Sequence, residues 1–249
     1  MKQVLELMNN HRSIRKYSEE PVTEAQLAAI LDAVQAAPSS INGQQTTVVV
    51  IRDAERKRTA AQLVGGQAWV EQAPVFLIFC ADFHRAALAV EKAGEEMVIT
   101  DSVESVLVGA TDVGIALGFA TVAAEAQGLG IVPIGGVRRN PKEMIELLEL
   151  PKLVFPVCGL VVGHPADSAA FSIPPKPRLP QTAIRHEERY RPQVGGLIEE
   201  YDRTVAAYNS QLSAGAVTAN WSETIARYYK TKYYPHVRAM LDQQGFGLD

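Results

Sequence analysis

Cysteine is scarce in this sequence of 249 residues, which contains only Cys80 and Cys158. Each lies inside an apolar run, and the two do not form a CxxC motif. Two cysteines placed in this way give no disulfide framework and no cysteine-based metal or redox motif. We interpret both as small apolar side chains of buried strands in a protein of a reducing compartment.

An excess of positive charge is also missing. Lys and Arg total 24 residues against 28 Asp and Glu, which gives a formal net charge of -4. This balance disfavours a dedicated nucleic-acid-binding protein, whose affinity would depend on a basic surface. Basic and aromatic residues alternate in the short segment 227–234, which we interpret as part of a helix that packs against a partner subunit.

Targeting and membrane signals are weak. The amino terminus lacks the apolar stretch of a signal peptide. The longest candidate membrane segment, residues 103–137, is interrupted by Glu104, Asp112 and Glu125. No uncharged stretch within it approaches the ~20 residues that are needed to span a bilayer. The sequence therefore predicts a cytoplasmic globular protein without a membrane partner.

Several common catalytic motifs are absent. The five histidines are scattered without an HExxH pattern, so we predict no metal site. The sequence has neither a GxSxG string nor a P-loop. Gly128-Leu129-Gly130 begins like a dinucleotide-binding fingerprint, but Pro133 occupies the position of the third glycine and the segment follows a helix. A Rossmann-type site is therefore not supported.

Hydrophobic residues make up 47% of the chain, and their spacing predicts a mixture of strands and helices. Residues 46–51 are β-branched almost throughout, which is typical of a strand buried on both faces. Thr23 and Gln26 form a capping-box pattern at the start of a helix. Further strands are predicted at 74–80 and 154–162, and a short strand with a tight turn is predicted at 131–136. Further helices are predicted at 4–9, 54–63, 91–100, 102–127, 193–209, 221–244 and from Pro141 with Asn140 as its cap. No linker or repeat is visible, so we predict one domain over residues 1–249 with a three-layer α/β character.

The predicted helix over residues 102–127 is unusual because it contains Gly109, Gly114 and Gly118. A glycine in a helix interior costs about 1 kcal/mol relative to alanine. Three of them are best explained if another backbone approaches this helix closely.

Four segments carry groups suited to binding an anion or a flat ring. Residues 11–15 (HRSIR) combine cations with a hydroxyl, which suits a phosphate. Residues 38–45 (PSSINGQQ) are dense in neutral donors and acceptors, and the glycines of residues 133–138 (PIGGVR) let a backbone N–H approach a ring. In residues 176–180 (KPRLP), two cations point to the same side of an extended chain. Taken singly, each segment is better explained as an ordinary turn or linker, and only their combination favours a common site.

In this order along the chain, the four segments resemble the FMN-dependent nitroreductase family, within the subgroup of oxygen-insensitive nitroreductases and flavin reductases. The resemblance extends over essentially the whole chain. It includes the Gly-Gly-Gln-Ala-Trp string at 65–69, the strand end PVCGLVVGHP at 156–165, and Asn-Trp-Ser at 220–222 before a tyrosine-rich helix.

The resemblance implies an α+β fold of three layers, in which helices flank a central, mostly antiparallel sheet. It also implies an intertwined homodimer with one noncovalent FMN per subunit at the interface. The helix over residues 102–127 matches the central dimer helix of the family, which would explain its glycines. A helical excursion at about 190–249 would wrap the partner subunit.

The resemblance further implies roles for the candidate residues. Residues 11–13 would hold the phosphate and ribityl end of FMN, with Lys176 and Arg178 closing on the phosphate. Arg15 would lie near flavin N1 and O2, and the backbone N–H at Gly135 would lie near N5. These last two residues form the environment of the reacting atoms, and no side chain acts as a nucleophile.

The pyrimidine edge of the flavin would be read by Gln67, and the loop that begins at Ser39 would come from the other subunit. The complete set of implied cofactor contacts is His11, Arg12, Ser13, Ile14, Arg15, Ser39, Ser40, Asn42, Gln44, Gln67, Trp69, Pro133, Ile134, Gly135, Gly136, Lys176 and Arg178.

The implied activity is an NAD(P)H-dependent oxidoreductase that works by a ping-pong cycle. NADH or NADPH delivers hydride to flavin N5 and leaves, and a small acceptor such as free flavin, a nitroaromatic compound or a quinone then binds and is reduced. The alternative is a flavin carrier without turnover, because binding and catalytic residues are nearly the same set here. The residues do not identify the physiological acceptor.

Overall fold

The computed structural model describes residues 2–167, 173–192 and 195–249. The chain divides into two compact units. The first comprises Met1–Ile173 and Tyr234–Asp249, and the second comprises Pro174–Tyr233. The prediction of a single domain over residues 1–249 stays a prediction.

The first unit contains a four-stranded antiparallel sheet with the strand order β1-β2-β4-β3. Its strands are β1 (Thr46–Ile51), β2 (Val75–Asp82), β3 (Gly130–Ile134) and β4 (Val154–Gly163). The predicted strands and the antiparallel sheet are therefore confirmed. The expectation that residues 46–51 are buried on both faces was wrong, because β1 lies at a sheet edge and only Ile51 is fully buried.

Helices cover both faces of this sheet. In the first unit they are α1 (Lys2–Asn9), α2 (Glu24–Gln35), α3 (Ala54–Leu63), α4 (Ala68–Gln72), α5 (His84–Lys92), α6 (Val103–Ala126), α7 (Pro141–Leu148) and α10 (Val237–Gln244). The second unit, taken by itself, contains the helices α8 (Gly195–Leu212) and α9 (Trp221–Tyr229).

Strand β2 shows how the three layers form, because all eight of its residues are buried and successive side chains face opposite ways. Leu77 and Phe79 join the core against α2 and α6, whereas Phe76 and Ile78 join the core against α3, α4 and α7. The predicted three-layer arrangement is confirmed. A smaller cluster around Phe246 packs α10 beside the sheet.

Helix α6 is the longest helix of the described chain, and the Ser102 hydroxyl caps it by accepting from the Glu104 N–H. By length and composition alone it could cross a membrane, but core helices of soluble proteins pass the same test. Its face through Val113, Ala116 and Ala120 packs on the sheet. The acidic residues noted in the sequence do not prevent it from meeting this criterion.

The glycines of α6 have different surroundings. A Cβ at Gly109 would lie 2.8 Å from the Cβ of Ala81, so this glycine lets α6 approach β2. At Gly114 and Gly118 a Cβ would meet no atom of the described chain within 4 Å. The sheet therefore explains one of the three glycines and leaves two on an open face.

Two predicted helices were wrong in their bounds. Residues 91–100 do not form one helix. Helix α5 begins earlier, at His84, and ends at Lys92. Gly94 follows with a φ of 78°, which is incompatible with a continued α-helix. Residues 221–244 form α9 and α10 rather than one helix, because Pro235 and the left-handed Tyr234 interrupt them. The capping box at Thr23 is confirmed.

The cap of α7 is partly as predicted. Pro141 occupies its first turn, but the Asn140 side chain donates to the carbonyl of Leu63 instead of capping the helix. The proline-rich residues 169–180 are also expected to be extended and non-helical. Residues 174–180 form neither helix nor strand, and residues 169–172 lie outside the described chain. The predicted helix at 193–209 is observed as α8, and residues 193–194 also lie outside the described chain.

Candidate functional site

The turn that follows α1 is fixed along strand β3. Ser13 forms a parallel bridge with Ile131, and the Ile14 N–H donates to the Ile131 carbonyl at 2.8 Å. Ile14 is buried, and a Cβ at Gly130 would lie 2.8 Å from its side chain. Pairing with the sheet therefore places residues 11–15 beside the strand that leads to Gly135.

Tyr17 stabilises this turn through a hydrogen bond to its backbone. Its hydroxyl donates to the Ile14 carbonyl at 2.6 Å. Burial raises the pKa of Tyr17, and the nearby Arg15 acts in the opposite direction. The phenol therefore stays neutral and keeps its hydrogen for the Ile14 carbonyl at physiological pH.

The polar side chains of the turn have defined partners. His11 Nδ1 donates to Glu125 Oε1 on α6 at 2.5 Å. The Arg12 guanidinium donates through Nε to the Ile173 carbonyl at 2.7 Å and through Nη1 to the Asn10 carbonyl at 2.7 Å. These bonds hold an imidazole and a guanidinium in fixed positions. Such preorganisation favours the binding of an anion.

A second segment, residues 65–69, lies next to this turn. The Arg15 guanidinium carbon lies 5.6 Å from the centre of the Trp69 ring, a cation–π distance. Trp69 Nε1 is buried and has no hydrogen-bond partner among the described residues. The Gln67 side chain donates to the Val64 carbonyl at 2.9 Å. A buried indole N–H without a partner is costly, and a bound polar group would satisfy it.

A third segment, Gly135–Arg138, continues from β3 as a 3-10 turn beside the second. A Cβ at Gly136 would lie 2.5 Å from the Val64 carbonyl and 3.2 Å from Gln67 Nε2. A Cβ at Gly135 would have Arg138 Nη2 as its nearest described neighbour, at 3.5 Å. The segments 11–15, 65–69 and 133–136 are therefore brought together around the end of β3.

The loop of residues 38–45 lies elsewhere in the first unit. The Ser40 N–H donates to both carboxylate oxygens of Asp112 on α6, each at 3.2 Å. The Gln44 N–H donates to the Ser39 hydroxyl at 3.1 Å. Asp112 and Glu125 are 13 residues apart on α6, which corresponds to about 20 Å along a helix. The loop is therefore well separated from His11 within one chain.

Lys176 and Arg178 lie in the second unit, on an extended segment in front of α8. Both are exposed, whereas Pro177 and Leu179 are partly buried. This alternation agrees with the expectation that the two cations share one side of the segment, which stays a prediction.

Glu125, Asp112 and Arg85 are not among the residues predicted for the site. Arg85 donates to the carbonyls of Gln44 at 2.7 Å and Thr46 at 3.0 Å, and so fixes the end of the loop. Asp112 and Glu125 could be noticed in the sequence, because they are charged residues in a largely apolar helix. Their partners are distant in sequence, so the pattern alone could not identify them.

The groups around β3 fit FMN. Arg12 and Arg15 suit a phosphate and the electron-rich N1–O2 edge of a reduced flavin. The open space beside Gly135 admits a flat ring, and the buried Trp69 N–H needs an acceptor. Among the described residues there is no group of three or more His, Cys, Asp or Glu side chains that could hold a metal ion. The fold and these groups define a flavin-dependent oxidoreductase.

Comparison with known proteins agrees with this class. Residues 8–164 match the nitroreductase family, and residues 176–249 match the C-terminal domain of the nitroreductase family. The chain is 55% identical to "FMN reductase [NAD(P)H]" of Bacillus subtilis, with 100% of both chains covered. It is 37% identical to "Oxygen-insensitive NADPH nitroreductase" of Salmonella typhimurium, with 99% of both chains covered. The solved structure of B. megaterium NfrA2 superposes with a TM-score of 0.97 at 52% identity and full coverage of both chains.

The chain belongs to the nitroreductase family. It is an enzyme, an NAD(P)H-dependent FMN oxidoreductase that acts on small molecules. The predicted family, fold, activity and cofactors are confirmed. The roles of the individual site residues stay predictions.

Proposed function

We propose that one FMN binds noncovalently per subunit, with its phosphate at residues 11–13 and its ring beside Gly135. The observation that carries this proposal is the convergence of three polar segments on the end of β3. FMN, when bound, supplies the two-electron chemistry between the nicotinamide and the acceptor.

The protein supplies binding, orientation and charge. His11 and Arg12 are held in place to bind the phosphate, and we also propose Lys176 and Arg178 as phosphate ligands. Arg15 stabilises negative charge at the N1–O2 edge. A unit charge about 4 Å away contributes on the order of 4 kcal/mol at an effective dielectric constant of ~20.

We propose that a second copy of the chain completes the site with its loop of residues 38–45. Within one chain this loop is anchored on α6 about 20 Å from the His11 anchor. The face of α6 around Gly114 is open, and exposed apolar side chains such as Phe119 on α6 and Leu5 on α1 lie in the same region of the fold. Such a surface is typical of an association site. The predicted C-terminal excursion would then wrap the partner subunit.

The acceptors that we propose are free flavin, nitroaromatic compounds and quinones, in a cytoplasmic enzyme. These molecules share a flat, electron-poor ring system. A site that binds its substrates by stacking selects for this shape more than for particular substituents.

The experiment is to purify the protein and measure its bound flavin, its turnover and its dependence on residues 12 and 178. We expect a yellow protein with one FMN released per chain on denaturation, and oxidation of NADH or NADPH that requires an added acceptor. Arg12→Ala and Arg178→Ala should each lower FMN occupancy, since a hydrogen bond to a charged group contributes about 1.5–3 kcal/mol. Unchanged FMN affinity in both variants would show that the phosphate binds elsewhere.

A further inference from the structure

The segment of residues 174–180 in the second unit has little regular hydrogen bonding of its own. It carries four prolines, at positions 174, 175, 177 and 180, and each removes a backbone N–H donor. No helix or strand is observed between residues 174 and 180. Its position must therefore be fixed by side chains of neighbouring elements.

Two tyrosines of α8 perform this task. The Tyr201 hydroxyl donates to the Pro177 carbonyl at 2.7 Å, and the Tyr208 hydroxyl donates to the Pro174 carbonyl at 2.8 Å. The tyrosines are seven residues apart, which is two helical turns, so they project from one face of α8. Their two hydrogen bonds fix the segment at points three residues apart, on either side of Lys176.

Helix α8 is itself held in place. The Tyr201 ring packs edge-on against Trp221 of α9 with ring centres 5.7 Å apart. The Asp202 carboxylate accepts from the Ser222 N–H at 2.8 Å. Hydrogen bonds from Ser222 and from the Trp221 backbone lower the pKa of Asp202, so its carboxylate is ionised at neutral pH. The anchoring face of α8 is therefore supported by α9.

The anchoring also sets the direction of the cations. Pro177 is partly buried, whereas its neighbours Lys176 and Arg178 are exposed. Both cations line one cavity together with Tyr201 and Tyr208 of α8. Long cationic side chains lose conformational entropy when they bind an anion, and a fixed backbone reduces this cost. Without the two tyrosine hydrogen bonds the segment could shift relative to α8, which would displace both charges.

We propose that Tyr201 and Tyr208 are positioning residues that align Lys176 and Arg178 on the phosphate monoester of FMN. This inference rests on the proposed function, in which Lys176 and Arg178 are phosphate ligands. Neither tyrosine needs to touch the flavin. Their effect should therefore appear only with ligands that carry the phosphate.

The test compares FMN with riboflavin, which has the same ring system and ribityl chain but no phosphate. The full chain is freed of flavin and titrated with each ligand by fluorescence quenching, as wild type, Tyr201→Phe, Tyr208→Phe and the double variant. Each substitution removes one hydroxyl and keeps the aromatic ring, including the Tyr201 ring that packs against Trp221. We expect the double variant to bind FMN about tenfold more weakly, as for the loss of two hydrogen bonds, and to bind riboflavin with unchanged affinity.

Tyr229→Phe is the matched control, because this tyrosine is exposed on α9, and it should leave both affinities unchanged. Arg178→Ala is made in the wild type and in the double variant. It distinguishes the assignment of Arg178 as a phosphate ligand from the positioning role of the two tyrosines. Arg178→Ala should weaken FMN binding strongly in the wild type and less in the double variant. In the double variant Arg178 is already misaligned, so it contributes less to FMN affinity before it is removed.

If Arg178→Ala leaves the FMN affinity of the wild type unchanged, the assignment of the phosphate ligands is wrong, and the inference falls with it. If Arg178→Ala weakens FMN binding but the tyrosine variants do not, only the inference is overturned. Equal losses of FMN and riboflavin affinity in the double variant would also overturn it, because they would indicate a general structural role for the tyrosines.

Discussion

At the scale of single residues, the adjacent glycines 135 and 136 have opposite reasons to be glycine. A Cβ at Gly136 would lie 2.5 Å from the backbone oxygen of Val64, so the fold itself excludes a side chain there. A Cβ at Gly135 would come no closer than 3.5 Å to the Arg138 side chain, and neither residue has a positive φ. The folding of the chain therefore does not require a glycine at position 135, as expected if a ligand approaches the backbone there.

This difference gives the first prediction. Gly136→Ala should lower the free energy of unfolding by about 1–3 kcal/mol, because the added methyl group displaces a backbone segment. Gly135→Ala should leave the unfolding of the flavin-free protein unchanged but weaken FMN binding. Urea unfolding and flavin titration of both variants measure the two effects. Normal FMN affinity in Gly135→Ala would mean that the flavin ring does not approach this backbone.

The second prediction concerns the two cysteines, and the structure agrees with their interpretation as apolar side chains. Burial raises the pKa of Cys80, and burial also raises that of Cys158 against the opposing effect of Arg138. A group with a raised thiol pKa stays protonated over a wider pH range, and only the thiolate reacts quickly. We expect both thiols to resist alkylation at pH 7 in the native protein, with a rate for Cys158 that rises with pH.

Mass spectrometry after timed alkylation measures these rates, and the denatured chain, in which both thiols should react quickly, is the control. Rapid labelling of native Cys158 at pH 7 would show that the thiolate is stabilised there.

At the scale of secondary structure elements, prediction from sequence succeeded where one local signal dominates. Strand β2 is apolar on both faces, so its burial is evident without a knowledge of its neighbours. The capping box at Thr23 and Gln26 is a contact within four residues, and it forms as the pattern indicates. Such elements can be predicted because all the atoms that determine them are close in sequence.

Prediction failed where tertiary context decides. The β-branched composition of β1 does not reveal that it is an edge strand, because strand order depends on pairings across the whole sheet. The same limit holds for the residues of the site, because contacts between residues distant in sequence leave no local pattern. Residues 11–15 could be proposed from their composition, whereas Asp112 could not, because its partner Ser40 is 72 residues away.

Asp112 provides the third prediction. The loop that it anchors contains three left-handed residues that are not glycine, Ile41, Asn42 and Gln44. Such conformations cost of order 1–3 kcal/mol each and persist only when other contacts enforce them. Removal of the buried carboxylate in Asp112→Ala should therefore release the loop and lower both stability and FMN affinity. The hydrogen bond to Ser40 should account for about 1.5–3 kcal/mol.

Asp112→Asn, which keeps a carbonyl acceptor, should recover most of the FMN affinity. Asp32→Ala, at an exposed position on α2, is the control. Thermal unfolding and flavin titration measure both effects. An Asp112→Ala variant with wild-type FMN affinity would show that the loop is not part of the flavin site.

At the scale of the whole molecule, the open face of α6 predicts the oligomeric state. We expect a dimer with about twice the 27.1 kDa mass of one chain. A Cβ at Gly114 meets no atom of the described chain within 4 Å, so the isolated chain should tolerate Gly114→Leu, but the leucine would separate two closely packed helices. Light scattering should show dissociation of this variant together with loss of FMN.

Gln62→Leu controls for the addition of an exposed leucine, because it lies on α3 in the opposite layer. An unaffected dimer in Gly114→Leu would place the interface away from this face. A wild-type monomer that still holds FMN would contradict the proposal of a shared site.

The last prediction concerns the choice of nicotinamide coenzyme, which depends on a charge that this chain lacks. The resemblance implies that NADPH-specific members of the family bind the 2′-phosphate through arginines in the loop before the Asn-Trp-Ser segment. Here residues 210–220 contain neither Lys nor Arg. The loop between α8 and α9 is closed by neutral contacts instead, with Ser213 Oγ accepting from the Val217 N–H at 2.8 Å. The distinguishing phosphate carries close to two negative charges, so without a bidentate partner discrimination should be weak.

We therefore expect NADH to be accepted without a large preference for NADPH, as measured by kcat/KM for both coenzymes with one acceptor. Ala216→Arg should shift the ratio toward NADPH by returning a cation to the loop. Arg203→Ala and Arg227→Ala test the nearest cations on either side, and each should change the ratio little. An NADPH preference above roughly 100-fold in the wild type, equivalent to about 2.7 kcal/mol, would show that a basic group outside the loop binds the phosphate. Loss of that preference in one of these two variants would then identify it.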